Sequence, residues 1–134
     1  MEKKILLGTL GGTIAAMLIA GIIFAGLLGK TTQTWMQENA ACLNELNMVW
    51  WVAGSLVQGL FLAILIQKFG ISTFSSGAVA GAWITFFMIL WFGIFNASTF
   101  KAYTWSWLPL DLIGNTIAGA VAGGVIGWIY GKVK

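Results

Sequence analysis

Four apolar runs, each about as long as a bilayer is thick and each bracketed by lysine, leave this chain few ways to fold. They cover residues 5–29, 46–67, 77–96 and 108–131. A membrane helix needs about 20 predominantly apolar residues. In lipid, every backbone N–H and C=O must be satisfied within the protein, and a helix does this segment by segment. Only 8% of the 134 residues are charged, against about a quarter in a soluble domain. Too few charges remain to cover a water-facing surface. The expectation is an all-α, polytopic membrane protein: one transmembrane domain over 1–134, built as a four-transmembrane-helix bundle in contact with the lipid bilayer.

The first run is too long for the apolar core of a secretory signal, which spans about 7–15 residues, and no Ala-x-Ala site follows it. It is read as a retained span. The seven cations are all lysines, and there is no arginine and no histidine. A guanidinium clamp for phosphate or carboxylate is therefore missing, as is an imidazole for metal, haem or general-base work. The modest net charge of +3 sits near the span ends and does not suggest nucleic-acid binding. Lys3, Lys4, Lys68, Lys132 and Lys134 share one side of a four-span topology, and Lys30 and Lys101 the other. Cytoplasmic loops carry the excess of lysine, so both termini are expected in the cytoplasm. The single cysteine, Cys42, forms no intrachain disulfide and is read as an inert small residue.

Tryptophan prefers the membrane–water interface, where its ring sits in an apolar zone and its N–H reaches a polar one. Trp35, Trp50, Trp51, Trp105 and Trp107 fall near the outer interface; Trp128 and Trp83, with Tyr130, fall near the inner one. A ligand cage of Trp50, Trp51, Trp105 and Trp107 is the sharper alternative to simple anchoring. In the first loop, Trp35, Met36, Ala40 and Leu43 fall on one helical face, and Thr34 with Gln37 has capping-box spacing. A short amphipathic helix is expected there, lying flat or continuing into the second span, with Glu38 and Glu45 solvated.

Lipid offers little hydrophobic drive for helices to associate, so close packing must supply it. Small residues recur every four positions at Gly8, Gly12, Ala16 and Ala20 and at Gly119, Gly123, Gly127 and Gly131. Shorter stripes are Ser55, Gly59 and Ala63, and Gly77, Gly81 and Thr85. These stripes mark tight crossings, either within the chain or against another copy or partner. Four polar residues form the candidate site. Asp111 follows Pro109 at the expected start of the fourth span, and Asn115 lies one turn deeper. Asn96 ends the third span at a similar depth, and Gln58 sits near the middle of the second. Asp111 reads either as a helix-start carboxylate favoured by the macrodipole or as a group facing an ion or substrate. Gln58 reads as an interhelical hydrogen bonder or as part of a polar path.

A Ser/His pair, a phosphate loop and a metal-ligand spacing are all missing, and the first span lacks the embedded glutamate that small multidrug transporters require. Catalysis and a cofactor are not expected. The segments KKILLGTLGG, GISTFSSGAVAGA and AGGVIGWIYGK resemble a group of small, uncharacterised bacterial membrane proteins with four predicted helices. That resemblance implies a bacterial inner-membrane protein and no activity. The expected function is helix packing, as a structural or accessory subunit of a larger membrane complex or as a homo-oligomer. The alternative is a small oligomeric transporter or channel that uses Gln58, Asn96, Asp111 and Asn115.

Overall fold

The structure, a computed structural model, describes residues 2–134 and is all-helical. Four helices are long and apolar enough to cross a membrane: Glu2–Leu27, Met48–Lys68, Phe74–Thr99 and Trp107–Lys132. The chain is thus built as a multi-pass membrane protein. Each span starts or ends within a few residues of the sequence expectation, with polar caps setting the limits. The first comprises α1 (Glu2–Ala20) and a π-helical turn, Gly21–Leu27, that continues it. Asn47 caps α3 (Met48–Lys68) by accepting from the N–H groups of Val49 and Trp50. Thr73 caps α4 (Phe74–Thr99) by accepting from Ser76 N. At α5 (Trp107–Lys132), the Thr104 hydroxyl accepts from Trp107 N at 3.3 Å.

The first loop departs from expectation. Its helix, α2 (Gly29–Glu38), extends the first span rather than leading into the second. The π turn ends with Leu28 N bonded to Ile23 O at 2.7 Å, and Leu28 leaves helical geometry at φ −102°, ψ 19°. The Thr32 hydroxyl crosses this joint and donates to Phe24 O at 2.9 Å. Thr34 therefore lies inside α2 and donates to Lys30 O, so it caps nothing. The expected apolar face is cut short as well. The helix stops at Glu38, a 3₁₀ turn covers Ala40–Cys42, and Leu43 is extended. Of that face, Trp35 alone is half-buried.

The turn between α3 and α4 is compact because Gly70 takes φ +67°. Ile71 N reaches Ile66 O at 3.1 Å and Gly70 N reaches Gln67 O at 3.0 Å. This pair of bonds is a Schellman closure, which satisfies carbonyls at the helix end. It also folds Ile71 back onto the buried cluster of Leu62, Ala63, Ile66, Ala122, Ile126 and Tyr130.

The four spans do not surround an axis equally. Along its length α5 packs on α4 and on α1, while α1 packs on α3. The contacts of α3 with α4 and α5 are short. The bundle is therefore a curved row in the order α3, α1, α5, α4, with α5 the most buried of the four. Its ends, α3 and α4, border an open cleft.

Candidate functional site

The glycine stripes are filled from within the chain. A Cβ on Gly77 or Gly81 would collide with the carbonyl of Gly123 or Gly119. One on Gly123 would strike Gly77 O and lie 2.8 Å from Gly81 Cα. Gly119 faces Thr85; Gly127 and Gly131 face the carbonyls of Thr73 and Ser72. Backbone thus meets backbone where Gly77 and Gly81 of α4 face Gly119 and Gly123 of α5, an approach open only to residues without side chains. Gly8 and Gly12 serve α1 differently, as holes for large side chains. A Cβ on Gly8 would sit 2.8 Å from the Tyr130 ring, and one on Gly12 2.6 Å from Ile126 Cδ1. All six predicted packing glycines therefore lie in intrachain contacts.

Tyr130 corrects the tryptophan-belt reading. It is 6% exposed and donates to Ala63 O at 3.0 Å, so it belongs to the core and does not anchor an interface. Trp128 and Trp83 remain exposed. The postulated cage does not form either. Trp50 and Trp105 point outward, 75% and 60% exposed, and Trp51 is exposed as well. Instead Trp107 stacks on Trp35 with centroids 5.3 Å apart, and Trp35 donates to Ala102 O at 2.7 Å. This contact ties α2 to the loop between α4 and α5.

The carboxylate of Asp111 is neither a cap nor in the first helical turn, because α5 begins at Trp107. Both its oxygens are engaged. The phenol of Tyr103, from the 100–106 loop, donates to Oδ2 at 2.5 Å, and Asn115 Nδ2 donates to Oδ1 at 2.7 Å. Burial raises the Tyr103 phenol above its ordinary value, and the Asp111 hydrogen bond adds to the rise. The phenol therefore stays a donor at any physiological pH. Sequence reading missed Tyr103, since a loop residue eight positions before Asp111 carries no periodic signal.

Asn115 continues this chain of polar groups into the bundle. It lines a cavity of about 150 Å³ with Gln58, Ser55, Thr85 and Gly59. Two of the four predicted polar residues, Gln58 and Asn115, thus meet at one cavity, and Asp111 is bonded to it through Asn115. Asn96 is not brought in: its Nδ2 donates to Phe92 O in its own helix at 2.8 Å. Gln58 also borders the mouth of the α3–α4 cleft, an apolar hollow of about 490 Å³ lined by Gly54, Val57, Phe61, Met88 and Phe92. Its side chain is exposed and joins none of the side-chain hydrogen bonds among the described residues. Among the described residues, no three His, Cys, Asp or Glu side chains are grouped to hold a metal. No protein-family model, curated protein or solved structure matches the chain.

Proposed function

We propose that this chain is a non-catalytic protein of a bacterial inner membrane, with both termini cytoplasmic. It acts by packing with a second copy of itself through the cleft between α3 and α4. The observation that carries this reading is the Gln58 amide, placed without a partner at mid-span and beside a ready-made hollow. An amide in hydrocarbon needs a hydrogen-bond partner. Glutamine has both donor and acceptor atoms, so two copies related by a two-fold axis satisfy each other at a single contact. Such interhelical bonds contribute about 0.6–2 kcal/mol in membranes, with the apolar walls of the cleft adding packing. The glycine stripes of α4 and α5 are already occupied within the chain, whereas this cleft is an apolar hollow left open between two spans. The lysine distribution supports the orientation, and the resemblance noted above supports the bacterial assignment.

The test is a Val57→Cys cross-link in a Cys42→Ser background, together with native mass measurement in mild detergent. The expected species has twice the 14.4 kDa chain mass, is trapped by the cross-linker, and is lost in Gln58→Leu but kept in Gln58→Asn. A monomer that cross-links nowhere would overturn the reading. Recovery of a defined complex with other chains would replace the second copy with a foreign partner.

The cavity shared by Gln58 and Asn115 favours a second reading, an oligomeric transporter. There the file Tyr103–Asp111–Asn115–Gln58 would carry a small polar species inward. Proton or potassium flux in liposomes that vanishes in Asp111→Asn supports it; flux equal to that of empty liposomes removes it.

A further inference from the structure

Another hollow lies elsewhere, at the end of the bundle opposite the termini. It has a volume of about 610 Å³, with α2 on one side and the 100–106 loop and the start of α5 on the other. We propose that this hollow binds a zwitterionic phosphate–ammonium group, the headgroup chemistry of phosphatidylethanolamine. Its lining includes one cation, Lys30, and one anion, Glu38, neither ion-paired among the described residues, with the stacked rings of Trp35 and Trp107 beside them.

The aromatic wall is already fixed by the protein. The Trp35 N–H is taken by Ala102 O at 2.7 Å, and the Asn39 amide donates to Trp35 O at 2.8 Å. The two charges are left for a ligand. They lie eight residues apart on one helix, a rise of about 12 Å. No ion pair joins them, although both border the same hollow. A ligand with a phosphate and an ammonium joined by a two-carbon bridge therefore meets Lys30 with the first and Glu38 with the second, with a hydrogen bond of about 3 Å at each end. Thr34 and Thr104 add hydroxyls to the same wall. Location agrees with charge. The hollow is lined by residues at the ends of apolar spans, where a headgroup region begins, and its lining residue Leu110 precedes the exposed Ile113 and Ile117 on one face of α5, a track for an acyl chain. An anionic headgroup would satisfy Lys30 but set its charge against Glu38.

The test uses the full chain in nanodiscs of mixed phosphatidylethanolamine and phosphatidylglycerol, with the retained lipid read by native mass spectrometry. The wild type is expected to retain phosphatidylethanolamine preferentially. Glu38→Gln should abolish that preference, Lys30→Gln should lower retention of both lipids, and Lys101→Gln, outside the hollow, should change nothing. Soluble glycerophosphoethanolamine, followed by tryptophan fluorescence, separates the two sources of this chemistry. Quenching by the soluble compound that is lost in Glu38→Gln assigns the site to the free zwitterion. Retention of the lipid without such quenching assigns it to the bilayer. Equal retention of the two lipids by the wild type, or a preference unchanged in Glu38→Gln, overturns the proposal.

Discussion

Gly81 and Gly54 are the same residue type in equally apolar helices, yet one added methyl group has different consequences at each. At Gly81 it would enter the backbone of α5, whereas at Gly54 nothing lies within 4 Å. Gly81→Ala should therefore destabilise the bundle by about 1–3 kcal/mol, the usual cost of overpacking. In the isolated monomer, with the cleft beside it unoccupied, Gly54→Ala should be neutral or stabilising by up to about 1 kcal/mol through helix propensity. Unfolding of the micelle-reconstituted protein by a denaturing detergent measures both. Tyr103 provides a second residue-level prediction. Its folded-state value lies above the ordinary phenol value, so its stabilising bond to Asp111 is fully present below the ordinary value and is lost as pH climbs through the raised one. Ultraviolet titration should show tyrosinate absorbance appearing later than in a free tyrosine, with the share that Tyr103 supplies lost in Tyr103→Phe.

At the scale of elements, α2 depends on a contact that its own sequence does not supply. Its ten residues are too few to form a stable isolated helix. The Trp35–Trp107 stack and the bond to Ala102 O hold it against the α4–α5 loop. Trp35→Ala should free α2 while leaving the spans intact: amide exchange over Gly29–Glu38 would rise sharply and that of α5 would not change. The turn between α3 and α4 is stiffer, because Gly70 occupies left-handed geometry that costs other residues about 1–2 kcal/mol. Gly70→Ala should lower stability by about that amount in the same detergent titration.

At the scale of the whole molecule, α5 is the spine to which α1 and α4 attach, and α3 is held chiefly through α1. This uneven attachment leaves the cleft, and with it the uncommitted Gln58. The succession of four spans sets Gly29–Glu38 and Cys42 at the end opposite the termini. Cys42 is exposed and is the chain's one thiol, so it reports orientation without any engineered label. A membrane-impermeant maleimide should modify it from outside intact spheroplasts. Labelling only after permeabilisation would invert the proposed topology.

Hydropathy alone determined the number, order and approximate limits of the spans, because a helix long enough for the bilayer satisfies its own backbone whatever lies beside it. Glycine spacing likewise marked faces of close approach, and Asp111 with Asn115 was legible as a pair one turn apart. Which face met which was decided only in three dimensions. A small-residue stripe specifies a hollow and not its occupant, so α5 could have met α1, α4 or another chain through Gly119–Gly131. The structure seats α4 there and places Tyr130 and Ile126 against the Gly8 and Gly12 hollows of α1. Tyr103, Asn96 and Gln58 make the same point. Hydrogen-bond partners depend on loop path and helix rotation, which composition and period do not encode. Sequence therefore established the lipid-facing architecture, while tertiary packing chose the contacts within it and left the α3–α4 cleft open.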